Sequence, residues 1–190
     1  MKKIIQKRFD ESMETLRRTA ERLAGPIENA AQLIIEAYKA GHGVFLFGNG
    51  GSAADAQHIA GELVGRFLAE RRALKAEALS SNTSILTALG NDYSFEYIFA
   101  RQLQANARAG DVAFGLTTSG NSPNVLAALK HARQNGLPTI ALTGEGGGQC
   151  AQYADCLLDV PSRQTPRVQE AGTLVYHLIC ELVEAGIVGA

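Results

Sequence analysis

From residue 43 onward the chain alternates short, apolar, β-prone runs with helical stretches, and this alternation restricts the fold more than any other property. The runs 44–47, 75–79, 112–117, 139–143 and 156–160 read as strands, the second of them the least apolar. Between and after them, helical patterns fall at 52–68, 82–89, 123–134 and 168–184, with Pro123 placed at a first helical turn. Repeated strand–helix units imply parallel strands with helices on both faces. The expected architecture is therefore α/β, a three-layer αβα sandwich around a mainly parallel five-stranded sheet. In such folds ligands sit beyond the carboxyl ends of the strands, in the loops that lead into helices.

The whole chain, 1–190, is expected to form one domain, with a helical arm over 1–40 and an α/β core over 43–190. In the arm, Ile5, Phe9, Met13, Leu16, Ala20 and Leu23 recur at steps of three and four and form an apolar stripe. Gly25-Pro26 is expected to divide it into two helices, the second closed by Gly41. The stripe reads as a packing face, either against the core or against another subunit. Leu174, Val175, Leu178, Ile179, Leu182 and Val183 form the expected apolar face of the last helix.

A 190-residue chain that is 46% hydrophobic can bury a sizeable core. Its formal net charge of −1 offers no electrostatic footprint for nucleic acid or for an anionic membrane surface. No uninterrupted apolar stretch approaches the roughly 18 residues of a membrane span. The basic start, Met1 to Arg8, is not followed by the apolar run of a secretory signal. Cys150, Cys156 and Cys180 are odd in number and lack metal-type spacing, so reduced packing cysteines in a cytoplasmic protein are expected.

Two loops carry the chemical signal. Gly48-Asn49-Gly50-Gly51-Ser52 joins the first strand to an Ala-rich helix, with Ser52 near the N-cap. A glycine loop there turns backbone N–H groups toward an anion at the positive end of the helix dipole. It matches neither common nucleotide fingerprint, so no nucleotide cofactor is expected, and alone it is equally compatible with a tight turn. Further along the same helix, His58 and Glu62 stand four apart on one face and offer a metal ligand and a base. The second loop, Thr117-Thr118-Ser119-Gly120-Asn121-Ser122, packs four hydroxyls into six residues before a helix N-terminus. Capping needs only one of them, so the loop reads as an uncharged phosphate cradle.

Other candidates have two readings. Gln169 and His177 lie eight apart on the last helix, about 80° around and roughly 12 Å along, a long span for one shared ion. On spacing alone His177 is either a packed histidine or a ligand. Asn91-Asp92-Tyr93 is a helix-ending turn whose amide and carboxylate could also bond sugar hydroxyls.

Together, Gly48-Asn49-Gly50-Gly51-Ser52, Asp55-Ala56-Gln57-His58, Glu62-Leu63, Gly90-Asn91-Asp92, Thr118-Ser119-Gly120-Asn121-Ser122, Arg167-Val168-Gln169-Glu170 and His177 resemble the sedoheptulose-7-phosphate (phosphoheptose) isomerases of the sugar isomerase (SIS) domain superfamily. The Thr-Ser-Gly-Asn-Ser loop marks the superfamily; His58, Glu62, Gln169 and His177 mark the heptose enzymes. The resemblance covers nearly the whole chain. It implies an aldose–ketose isomerase that converts D-sedoheptulose 7-phosphate to D-glycero-D-manno-heptose 7-phosphate through an enediol, the first step toward bacterial ADP- or GDP-heptose for surface polysaccharide such as lipopolysaccharide. It implies a homotetramer with active sites between subunits, and a sugar phosphate as the partner. Carried over by position, Asn49, Gly50, Gly51, Ser52, Asn91 and Asp92 line the sugar site, with Glu62 and Gln169 also touching substrate. Thr117, Thr118, Ser119 and Ser122 hold the phosphate. One zinc ion per site is implied on His58, Glu62, Gln169 and His177, with Glu62 and His177 as the proton-transfer pair. Thr117 replaces a serine found in some members, and Pro166 an acidic residue, so Pro166 is assigned no role.

Two alternatives stay open on sequence. One is a non-catalytic SIS protein that binds replication-initiation proteins; such relatives lack the counterparts of Glu62 and His177. The other is an isomerase of a different phosphosugar, because chain length is read by pocket shape rather than by a motif.

Overall fold

The computed structural model describes residues 1–189. Five strands, β1 (Val44–Gly48), β2 (Ala76–Ala78), β3 (Val112–Thr117), β4 (Thr139–Thr143) and β5 (Cys156–Asp159), form one sheet in the order β2-β1-β3-β4-β5. Every neighbouring pair is parallel. β1, β3 and β4 are buried along their whole length, which is why these runs are continuously apolar and not alternating.

The pleat divides their side chains between two cores. Val44, Leu46, Phe114, Ile140 and Leu142 face a layer made by α1 (Lys2–Lys39), α2 (Gly51–Val64) and α6 (Thr165–Val188). Phe45, Phe47, Ala113 and Ala141 face the opposite layer, built by α4 (Ile98–Asn106) and α5 (Pro123–Gln134). The short α3 (Thr83–Asp92) opens on Asn82, whose side chain accepts the Ile85 N–H. Adjacent strands β1 and β3 thus send their following helices, α2 and α5, to opposite faces of the sheet. The chain therefore opens a crevice beyond the carboxyl ends of β1 and β3, where the two candidate loops lie.

Several sequence expectations change. Residues 2–39 form one helix with Pro26 inside it, not two. An interior proline costs about 3 kcal/mol. Burial of Leu23, Ile27, Ala30, Ala31, Ile34, Ile35 and Tyr38 on both sides of it opposes that cost, and the Cys156 thiol donates to the Pro26 carbonyl at 3.3 Å. The packed face near the start of α1 runs through Thr15, Thr19 and Leu23. Ile4, Ile5, Phe9 and Met13 are more than half exposed. In α6 the apolar face also splits: Val175, Ile179 and Val183 are buried, while Leu174, Leu178 and Leu182 remain partly exposed. α6 is long and apolar enough in length and composition to match a membrane span, although interrupted by charged residues.

α4 is an element that the sequence reading left out, preceded by a 3-10 turn at Phe95–Tyr97. Its buried Ile98, Phe99, Gln102 and Leu103 repeat at helical spacing, the signal that could have revealed it. A second 3-10 turn, Gly148–Tyr153, precedes β5.

Candidate functional site

The first loop leaves β1 at Gly48 and enters α2 through Gly50, whose φ of 56° lies in the left-handed region that glycine tolerates. Gly50, and not Ser52, is the N-cap, and no side chain caps the helix. Ser52 is buried instead. With Asp55, Thr117, Thr118 and Gln169 it lines a small cavity enclosed by the two loops and α6.

The second loop leaves β3 at Thr117 and turns at Gly120, where any Cβ would run into the Gly147 carbonyl. The Thr117 and Ser122 hydroxyls are 2.9 Å apart and those of Thr117 and Ser119 are 3.4 Å apart. Ser122 occupies the N-cap of α5, yet its hydroxyl makes no cap hydrogen bond. The cap reading of this serine therefore does not describe its side chain; Pro123 has no N–H, the Val125 N–H donates to Asn124 Oδ1 at 3.0 Å and the Leu126 N–H to the Ser122 carbonyl at 3.0 Å.

The two loops are joined by a pair of amides. Asn49 Nδ2 donates to Asn124 Oδ1 and Asn124 Nδ2 donates back to Asn49 Oδ1, both at 2.8 Å. Asn124 is almost fully buried, and nothing in its local sequence marks it out. With its side chain so engaged, Asn49 presents mainly its backbone to a ligand.

Deeper along α2, three side chains converge. His58 Nε2 lies 3.0 Å from Glu62 Oε1 and 3.5 Å from His177 Nε2. A ligand atom from each residue lies within 4.8 Å of those of the other two, close enough to share one metal ion. His177 comes from α6, which packs across α2. On its far side His58 Nδ1 meets the Tyr176 hydroxyl at 3.1 Å, and that hydroxyl lies 3.4 Å from Asp55 Oδ1. Burial pushes the Asp55 carboxyl up, against the opposing pull of Tyr176 and His58. Asp55 stands in one of the sequence motifs without a role, and no sequence motif includes Tyr176.

Gln169 does not join this trio within one chain. Its amide nitrogen lies 2.5 Å from where a Cβ on Gly51 would stand, about two helical turns and roughly 10 Å from His58. Arg167 and Glu170, from the same sequence motif, tie the helices together: Arg167 donates to the Arg8 carbonyl at 2.7 Å and to Glu170 at 2.6 Å, and Ser12 donates to Glu170 at 2.8 Å. Asn91 and Asp92 lie exposed at the end of α3, hydrogen-bonded to each other at 2.8 Å. Their neighbours Leu89 and Tyr93 line an open cavity of about 640 Å³ together with Asn121, Pro123, Arg101 and Lys130. This cavity is larger than the one between the loops, is walled mainly by α4 and α5 and includes none of the convergent trio.

An SIS domain profile matches residues 8–144, more than two thirds of the chain. The phosphoheptose isomerase of Citrifermentans bemidjiense is 57% identical over 162 residues, 85% of this chain and 84% of that protein. The chain belongs to the phosphoheptose isomerase family. The Aquifex aeolicus member is 56% identical over 180 residues, covering 95% of this chain and 94% of its own. The solved phosphoheptose isomerase of Neisseria gonorrhoeae superposes with a TM-score of 0.92 at 40% identity, over 97% of this chain and 98% of that one. Phosphoheptose isomerases are isomerases, so the chain is an enzyme of that class, with a sugar phosphate as its substrate class.

Proposed function

We propose that this enzyme interconverts D-sedoheptulose 7-phosphate and D-glycero-D-manno-heptose 7-phosphate in the cytoplasm, at the start of bacterial heptose synthesis. The observation that carries the reading is the meeting of the Glu62 carboxylate with His58 and His177 along α2, the helix that the first of two anion-friendly loops opens. The roughly 10 Å between Gly51 and His58 leaves room for the carbon chain of such a sugar. Thr117, Thr118, Ser119 and Ser122 hold the phosphate. The backbone of Asn49, Gly50 and Gly51, with Ser52, Gln169, Asn91 and Asp92, holds the sugar.

In this mechanism Glu62 removes a proton from C1 of the ketose, leaving an enediol, and returns it to C2 of the aldose. His177 carries the second proton from O1 to O2, so each group ends in its starting state. The loops pin the distant phosphate and thereby hold C1 and C2 against Glu62.

The donor set also fits a zinc ion. Two imidazoles and a carboxylate are zinc ligands, and three electron-rich atoms brought together favour a shared cation. His58, Glu62 and His177 would hold it, joined by Gln169 from an adjoining subunit. Such an ion supplies Lewis-acid stabilisation of the charge that develops on the sugar oxygens. The exposed stripes Ile5, Phe9 and Met13 on α1 and Leu174, Leu178 and Leu182 on α6 support a homotetramer with sites between subunits. The three buried cysteines, all free, accord with a reducing compartment.

Purified protein supplied with sedoheptulose 7-phosphate in a coupled assay, before and after chelation, tests the reading. Formation of the aldose, lost on chelation and restored by zinc, is the expected result. Turnover only with a shorter ketose phosphate would assign the site to another sugar.

A further inference from the structure

His58 reaches the proposed metal position through Nε2, and that nitrogen can bind a cation only while it carries no proton. A neutral imidazole then keeps its proton on Nδ1, where an acceptor must receive it. The group facing Nδ1 is the Tyr176 hydroxyl, at 3.1 Å, and a hydroxyl can either donate or accept. If it donates to Nδ1, the imidazole proton is forced onto Nε2 and the metal position is blocked. What favours the other direction is a second acceptor for the tyrosine proton, and Asp55 Oδ1 stands 3.4 Å from that hydroxyl. A carboxylate only accepts, so with Asp55 in place the order runs from Nδ1–H to the tyrosine oxygen and from the tyrosine O–H to Asp55.

The packing is built for this. Asp55, His58 and Glu62 lie along α2 at steps of three and four, and Tyr176 and His177 are consecutive on α6, so one helix crossing supplies both ends of the chain of bonds. The Tyr176 ring is 2% exposed and meets the His58 ring edge-on at 5.5 Å, which restrains both rings.

We propose that Asp55 and Tyr176 are positioning residues that hold His58 in the tautomer whose bare Nε2 faces Glu62 and His177. The inference rests on the zinc reading of the site and adds its outer support. Residues in this position are commonly worth 10- to 100-fold in metal affinity.

Zinc dissociation constants, measured against a competing chelator on the full-length protein and its variants, test the relay. Tyr176→Phe removes only the hydroxyl, and Asp55→Ala removes the final acceptor; each should weaken zinc binding about 10- to 100-fold with the melting temperature little changed. Asp55→Asn keeps a carbonyl oxygen for the tyrosine proton while losing the charge. It should stay within about threefold of the parent protein if acceptance by the relay is what matters. An Asp55→Asn protein as weak as Asp55→Ala would make the effect one of charge and overturn the relay, as would Tyr176→Phe with parental affinity. If Asp55→Ala does not fold, Tyr176→Phe alone decides. A parent protein that binds no zinc overturns the zinc reading and the relay together, whereas a zinc-binding parent with unaffected variants overturns the relay alone.

Discussion

Asn49 and Asn124 exchange two hydrogen bonds of 2.8 Å each, and this amide pair ties the first ligand loop to the start of α5, just past the second. Neither loop is fixed by its own sequence alone: one is rich in glycine, the other in hydroxyls. The clasp gives them a common frame and leaves Asn49 with mainly its backbone to offer.

Breaking the clasp should weaken both loops together. Asn124→Ala leaves the half-buried Asn49 amide and the buried Val125 N–H unpaired and should cost about 1 to 3 kcal/mol in urea unfolding, with a raised KM. Because both residues serve one interaction, Asn49→Ala/Asn124→Ala should cost clearly less than the sum of the two single changes. Strict additivity would show that the two amides act separately.

Glu62→Gln keeps the shape of the side chain and removes its basicity. Turnover should fall about 10²- to 10⁴-fold while substrate still binds measurably by calorimetry. Near-parental turnover would remove Glu62 from the proton transfer.

Replacing Ser119 and Ser122 together by alanine strips two of the three hydroxyls of the Thr117 cluster. Steady-state kinetics should show KM rising far more than kcat falls, because a remote phosphate contributes mostly uniform binding. An unchanged KM would place the phosphate elsewhere.

His177→Gln should lower both zinc content, read by elemental analysis, and turnover, while the protein stays folded. A histidine that served only as packing would tolerate the change with full metal and full activity. Metal loading of the parent should also weaken as pH falls, because zinc takes only the unprotonated imidazole nitrogen.

Glu184 provides the acid-sensitive element. Burial raises its carboxyl, but the Ala69, Phe67 and Leu68 amides and Arg71 outweigh that and hold it below its ordinary value of 4.5. A depressed carboxylate contributes its stability fully above the unfolded value and loses it as pH falls through the folded one. Unfolding free energy should therefore drop as pH falls from the ordinary value of 4.5 through the lower folded one, and Glu184→Gln should flatten that limb. The same variant leaves Arg71 buried without its charge partner 3.3 Å away, at a cost of about 3 to 5 kcal/mol at neutral pH. Urea melts across this range check both effects.

Local chemistry in the sequence was enough for the strand–helix alternation, the two loops and the shared face of His58 and Glu62. Each depends only on spacing within one element, so β3, β4 and α5 stand at the residues their apolar runs and Pro123 indicated. Tertiary structure decided what spacing could not. It kept α1 whole through Pro26, because contacts on both sides of the proline bury more than the break would release. It turned His177 from one of two readings into a neighbour of His58, a residue 119 positions away. It recruited Asp55, Tyr176 and Asn124, and it set Gln169 against Gly51 rather than beside His58. All of these follow from how α6 crosses α2 and how α5 meets the first loop. Such crossings are set by the total burial of the two helical layers against the sheet, a sum over distant residues that no short stretch of sequence contains.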